Sequence, residues 1–407
     1  MANEPPTLSV RNARLYPWYV VCLNGFYWFP VFLLYLTEHV GIGDALILES
    51  IYYAAVVALE VPSGWASDKF GRRLALRASM AMLTLAYAAF FFGDSFATLA
   101  LAQVLLAAGY ASNSGTDTAF HYDSLVAAGL EDEFADREEK IARLSFGMVA
   151  ISALAGGAIA SLELRYAYGL SFVSSLVGLG ITVAFAKPEA ADAIAAERFD
   201  RQIIACVRQL ADPVLRWAFG FVVLLTVLIH IPYQIYQPYL ELLPSPPSLA
   251  LPTPLLTGAH AFLAMLIAAW FSGRSVRWSE RFGLSRVALG SVGLLVVLIA
   301  LTGTFLHPMI ALLLLFRSMP RALTLAPMNA LVTPRLPRQL RASYLSVQSL
   351  AGRLSFSVLL AVLSLAATTR DPTWADVSTM SLIAAVVGLA GWLALAGTAQ
   401  NLDRSDS

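Results

Sequence analysis

The sequence is short of charge, of lysine and of cysteine. Only 13% of its 407 residues are Asp, Glu, Lys or Arg, while 58% are hydrophobic, and its mean hydropathy is +0.68. Soluble domains carry about 25% charged residues. A chain this apolar requires a lipid bilayer, which excludes a cytoplasmic enzyme, a secreted domain and a disordered chain. The 27 basic residues balance 27 acidic ones, so no global positive field points to nucleic acid. Cys22 lies in an apolar run and Cys206 in a polar stretch. Neither a disulfide framework nor a CxxC metal knuckle can be built, and no metal or other cofactor is expected. G-x-S-x-G, Walker A and H-E-x-x-H runs are all missing, so nothing points to catalysis. Lysine occurs at Lys69, Lys140 and Lys187 alone, with arginine supplying the other positive charges. Together with abundant alanine, that is a composition expected of a GC-rich bacterial genome.

What is present is long apolar runs. A membrane helix needs about 20 mostly apolar residues. Twelve such spans are predicted, at roughly 15–37, 45–66, 74–93, 96–127, 141–162, 166–186, 214–241, 253–273, 286–306, 308–333, 342–368 and 374–397. One longer polar gap, 188–213, divides them six and six. The expected organisation is an N-terminal six-helix bundle over 1–187, a cytoplasmic linker over 188–213 and a C-terminal six-helix bundle over 214–407. Within the linker, 197–210 has apolar residues at helical spacing, which suits a helix on the membrane face or one packed on the cytoplasmic helix ends. No cleavable leader is expected at the N-terminus. With the N-terminus placed in the cytoplasm, every basic residue except Arg165, Arg370, Arg317 and Arg321 falls in or beside cytoplasmic segments. This asymmetry predicts both termini and the linker inside, in a multi-pass protein of the bacterial inner membrane.

Between the second and third spans, residues 64–73 read G-W-A-S-D-K-F-G-R-R. Gly64 is expected to let the helix pack closely. Gly71 is expected to supply the positive φ that so short a loop requires. Asp68 falls at a helix C-terminus, where an acid needs a partner. The run resembles the G-x-x-x-D-[RK]-x-G-[RK]-[RK] loop of the major facilitator superfamily, and Gly64, Asp68, Lys69, Gly71, Arg72 and Arg73 fill every position. Glu280-Arg281-Phe282-Gly283 repeats Asp68-Lys69-Phe70-Gly71 in degenerate form between spans eight and nine, as two related bundles would. Similar runs occur at Glu60–Gly64, at Ser114–Leu125 and at Arg341–Ser346. The P-E-S-P-R run of the sugar-porter branch is missing. The resemblance implies an all-α membrane protein with two pseudo-symmetric six-helix bundles and a cytoplasmic gate latch, joined by Asp123. The alternative for the basic loop is a purely topogenic role. Without an ATP site, uphill transport would draw on an ion gradient, with the proton as coupling ion.

Charged groups at mid-membrane cost about 2.5–3.5 kcal/mol each on insertion scales, so polar residues inside spans are the candidates. Tyr110, Asn113, Asp117 and His121 step by 3, 4 and 4 along one helical face. Asp117 could share a proton with His121, or could join the latch. Asn24, Tyr27 and Trp28 lie in span one. His230, Tyr233, Gln234 and Gln237 lie in span seven, and His260 in span eight. The resemblance implies that helices 1, 4, 7 and 10 line the cavity. Arg317 would line it near the midplane or be locked to backbone carbonyls or a helix-end acid. Arg321, deeper along the same face, reads as structural. Glu60 admits either reading. The expected function is proton-coupled export of a drug-like compound or metabolite by a monomeric secondary transporter. Proton-linked uptake, a non-transporting receptor and a lipid flippase are the alternatives. The latch predicts that Asp68→Asn abolishes or strongly slows transport while membrane insertion is unchanged; a wild-type flux from an inserted variant would remove Asp68 from the gate.

Overall fold

The backbone of a computed structural model is described for residues 6–186, 199–244, 251–337 and 340–399, and among these it contains helices and no strand. The side chain of Asp68 and the linker stretch 187–198 lie outside the described residues. The helices in chain order are α1 (Pro6–Leu23), α2 (Phe32–Val40), α3 (Ile42–Phe70), α4 (Arg72–Phe92), α5 (Phe96–Asn113), α6 (Thr116–Val126), α7 (Phe134–Ala160) and α8 (Arg165–Ala184). They continue with α9 (Phe199–Gln209), α10 (Pro213–Glu241), α11 (Thr253–Ser272), α12 (Ser275–Phe282), α13 (Leu284–Thr304), α14 (Pro308–Leu313), α15 (Met319–Val332), α16 (Arg341–Ser364) and α17 (Trp374–Thr398).

Among the described residues, 11 helical stretches are long and apolar enough to cross a bilayer. The exception is the expected first span, which is not one helix. Its chain leaves the helix at Leu23, turns over residues 24–31 and re-enters as α2. Two further spans are interrupted. Gly115, at φ 71°, separates α5 from α6, and a 3-10 turn at Leu314–Phe316 separates α14 from α15. Asn24-Gly25, Ser114-Gly115 and Ser318 with Pro320 accompany the breaks, as residues with poor helix propensity do.

The chain divides into two compact units: residues 6–35 with 51–186, and residues 36–50 with 199–399. In the first, α4 packs on α5 and α8, and α1 packs on α6, α7 and α8. In the second, α13 packs on α17 and α15, and α10 packs on α16 and α17. The pairing of α4 with α8 thus recurs as α13 with α17. Helix α9 packs on α16 and buries Cys206, while Ile204 and Val207 stay exposed. Large apolar side chains such as Leu85, Phe146, Ile151, Val173 and Val386 also remain exposed on the spanning helices, as a lipid-facing surface requires.

The internal repeat is visible in the backbone. Gly71 joins α3 to α4 at φ 96°, ψ 138°, and Gly283 joins α12 to α13 at φ 84°, ψ 137°. Each donates its N–H to a serine carbonyl four residues back, Ser67 at 2.9 Å and Ser279 at 3.0 Å. A side chain at either φ would be strained. Gly64 corrects its sequence reading, because no atom of the described residues lies within 4 Å of where its Cβ would stand, so close packing among them does not require it. The close approach lies at Gly156 instead, where a Cβ would sit 1.9 Å from the Tyr27 carbonyl oxygen. Gly156→Ala should therefore cost about 1–3 kcal/mol through overpacking. Gly180→Ala meets open space and should leave thermal unfolding of the purified protein unchanged.

Candidate functional site

The turn at 24–31 exposes backbone that no helix satisfies, and hydrocarbon offers it no water. Hydroxyls from α7 and α8 take over. Ser174 Oγ donates to the Cys22 carbonyl at 3.1 Å, Ser171 Oγ to Gly25 at 3.1 Å and Ser152 Oγ to Asn24 at 3.3 Å. Asn24 Nδ2 donates to the Val20 carbonyl at 2.8 Å and meets Ser145 Oγ at 3.5 Å. The Tyr27 carbonyl rests against Gly156. Trp28 Nε1 donates to Tyr87 Oη at 3.1 Å, and Tyr87 Oη meets Tyr110 Oη at 2.7 Å. Sequence reasoning missed these serines. Their signal was hydroxyls inside apolar spans opposite an Asn-Gly pair.

The break at Gly115 changes the reading of span four. Asp117 sits in the first turn of α6, where a carboxylate is favoured. Its Oδ1 accepts from Thr118 N at 2.8 Å, and its Oδ2 accepts from Asn113 Nδ2 at 3.1 Å. Asn113 Oδ1 in turn accepts from Tyr19 Oη. The suggested sharing of a proton between Asp117 and His121 is not what the geometry gives. His121 Nδ1 lies 2.7 Å from Glu138 Oε1 on α7, and the ring stacks on Tyr16 at 4.1 Å. Glu138 was missed because 131–139 is acid-rich and reads as a loop, whereas α7 already begins at Phe134.

The basic motif stays within the first unit. Arg72 forms an ion pair with Asp123 on α6 and donates to the Ala119 carbonyl at 3.1 Å. Arg73 donates to Phe185 O at 3.4 Å, and Arg77 donates to Thr182 O at 3.0 Å and Val183 O at 2.7 Å. Arg11 donates to Ala184 O, and Asn12 exchanges bonds with Ala186 through N–H at 2.9 Å and C=O at 3.1 Å. The C-terminus of α8 is therefore held by cations and an amide, which suits its orphan carbonyls and its dipole. Lys69 lies 4.5 Å from the centre of the Trp65 ring.

In the second unit the two arginines of span ten part company: Arg317 caps the 3-10 turn outside α15, whereas Arg321 lies within α15. Arg317 is fully buried. Its Nη1 donates to His260 Nδ1 at 2.8 Å and to Leu314 O at 3.1 Å. The guanidinium stands over Tyr236 at 4.4 Å and Tyr233 at 5.0 Å. His260 Nε2 donates to the Ala311 carbonyl at 2.9 Å, which leaves Nδ1 as the acceptor for arginine. No carboxylate forms an ion pair with Arg317 among the described residues, and its Nε and Nη2 have no hydrogen-bond partner. Gln234 Nε2 donates to the buried Glu49 carboxylate at 3.0 Å. Glu49, an acid inside span two, was readable in the sequence but not singled out.

Arg321 faces a different space. Together with Arg353, His230, Asn329, Gln348 and Thr226 it lines a cavity of about 290 Å³ between α10, α15 and α16. His230 Nδ1 donates to the Thr226 carbonyl at 2.6 Å, and its ring lies 5.0 Å from Phe356. Among the expected site residues, Asn113 and Asp117 are thus directly bonded. His121, Gln234 and Arg317 each have a partner the sequence did not name.

No family model and no curated protein sequence matches this chain. Solved structures do match in fold. A mutant of the nucleoside transporter NupG aligns with a TM-score of 0.78 and 15% identity, covering 96% of this chain and 100% of its own. An auto-inhibited POT family peptide transporter aligns at 0.71 and 12%, covering 97% of each chain. A mutant of the peptide transporter POT aligns at 0.69 and 14%, covering 97% of this chain and 96% of its own. The chain therefore has the fold of major facilitator superfamily transporters, as the motif resemblance implied.

The Arg317 cage makes opposite predictions for its two members. His260→Phe strips the acceptor from a buried cation and should lower thermal stability by about 1–3 kcal/mol. Arg317→Met removes a charge that no carboxylate offsets and should match or exceed the wild-type Tm. Equal destabilisation by both would show that the guanidinium itself holds the fold.

Proposed function

We propose that the protein is a secondary active transporter of a small solute, working by alternating access in a bacterial inner membrane, with both termini cytoplasmic. Proton-coupled export of a drug-like compound or metabolite is the direction we favour. Proton-linked uptake would use the same groups with the solute moving the other way, and the nucleoside and peptide transporters of like fold keep that reading open. The observation that carries proton coupling is the pair of buried His121 and half-buried Glu138, one helical turn from Asp117. A histidine held 2.7 Å from a carboxylate can pass a proton between them. Asp117, bonded to Asn113 and to its own helix N-terminus, is the second acid. The latch role for Asp68, Lys69, Arg72, Arg73 and Asp123 remains part of this proposal, with Arg72 and Asp123 supplying its ion pair.

The test is pH-gradient-driven flux in proteoliposomes against amphipathic cations, organic anions and nucleosides, with the sign of the gradient reversed between runs. Movement of one compound class with protons would establish the coupled porter, and the gradient that drives it gives the direction. Glu138→Gln and Asp117→Asn should each abolish gradient-driven accumulation while solute exchange survives. Unaltered accumulation in both variants would exclude these acids as the coupling groups.

A further inference from the structure

We propose that the cavity between α10, α15 and α16 is a binding site for a small amphipathic organic anion. This deepens the transporter reading above and rests on it for the site's purpose, though not for its chemistry. Two guanidinium groups, Arg321 and Arg353, line the cavity, and none of its lining residues is acidic. Arg321 is exposed to the cavity and makes no hydrogen bond or ion pair among the described residues. A cation inside an apolar span is retained where it faces water or a partner of opposite charge. Here the position is open and the partner is missing, so the charge is available to a ligand.

The rest of the lining limits what that ligand can be. Two of the three hydroxyls are already committed. Thr226 Oγ1 donates to Val222 O at 2.7 Å, and Thr324 Oγ1 donates to Pro320 O at 2.7 Å. Gln348 Nε2 donates to Ala218 O at 3.1 Å. Asn329 and Ser349 add neutral polar groups to the wall, so recognition of charge falls to the arginines. A guanidinium offers a planar fork that suits a carboxylate. Phe221, Leu225, Met328 and Leu345 form the apolar part of the wall, which suits a hydrocarbon or aromatic body. The volume, about 290 Å³, stands at the lower end of ligand pockets and admits a small solute. Close packing sets the arginine's position. A Cβ at Gly352 would stand 2.8 Å from Thr226 Cβ, so α16 touches α10 beside Arg353.

The experiment is calorimetric titration of the purified full-length protein, in chloride-free buffer, with benzoate, phenylacetate and hexanoate, each paired with its neutral primary amide. At least one carboxylate should bind tenfold or more tightly than its amide. Arg321→Gln and Arg353→Gln should each erase that preference, with Arg321→Lys retaining part of it. Thermal unfolding of each variant checks that the fold persists. Equal binding of every acid and amide by the wild-type protein would overturn the proposal without reference to any variant. So would retention of the full preference in both glutamine variants. Failure here, together with gradient-driven flux of a cation or nucleoside, would remove the anion site and leave the transporter reading standing. Anion binding without flux of any bound compound would do the reverse.

Discussion

A departure from helix inside a membrane span must have its backbone satisfied by the protein, because the surroundings cannot do it. In hydrocarbon an unpaired carbonyl or amide costs several kcal/mol, so irregular backbone survives only where protein supplies the missing partner. At residues 24–31 that partner is a set of serine hydroxyls from α7 and α8. At Gly115 a glycine N-cap begins α6, and Asp117 meets the exposed amide of Thr118. At the turn after α14, Arg317 bonds the Leu314 carbonyl. The three breaks are also where the polar candidates gather. A polar side chain that answers a broken helix is buried by the same event that makes it necessary.

The same economy governs the cations, with three different solutions. Arg73 and Arg77 end on the carbonyls that close α8, so a charge and a helix end neutralise each other at the edge of a span. Arg317 lies deeper and has no carboxylate among the described residues. Two tyrosine rings and a histidine held in one tautomer by the Ala311 carbonyl surround it instead. Arg321, only four residues on, has neither and faces open volume. Residue type and spacing were identical on paper for the last two. The break leaves Arg317 as the cap of the 3-10 turn and Arg321 inside α15, so one becomes a packed cation and the other stays exposed.

Much of the architecture was legible in the sequence, because bilayer thickness turns composition into length. Eleven spanning stretches fall where apolar runs lie, and the glycine of the motif has the positive φ that its one-residue loop demands. What failed had a common cause. Periodicity assumes an unbroken helix, so the first span was drawn through Asn24-Gly25, and the face of Tyr110, Asn113, Asp117 and His121 was drawn through Gly115. Asn113 and Asp117 still meet across that break, but Tyr110 turns to Tyr87 and His121 to Glu138. Partners from another helix, such as Glu138, carry no local signal at all. Gly64 shows the opposite error, a motif position whose packing reason is missing from the structure.

The two units show how a repeat can persist in backbone while its chemistry diverges. Gly71 and Gly283 share a conformation within about 12° in φ and 1° in ψ, because that torsion pair admits few residues other than glycine. The side chains that follow are under no such constraint. In the first unit Arg77 of α4 donates to carbonyls at the end of α8. In the second, Leu289 occupies the position equivalent to Arg77, and the link between α13 and α17 runs the other way. Trp392 of α17 donates from Nε1 to the Leu289 carbonyl at 2.9 Å. A neutral indole replaces a guanidinium, and the donor has moved to the opposite helix. Helix pairing is thus preserved while the charge at this one position is lost, although Arg277, Arg281 and Arg286 keep the second turn basic. What has diverged is the chemistry that ties the pair: the first unit uses a guanidinium at a helix end, the second a neutral indole.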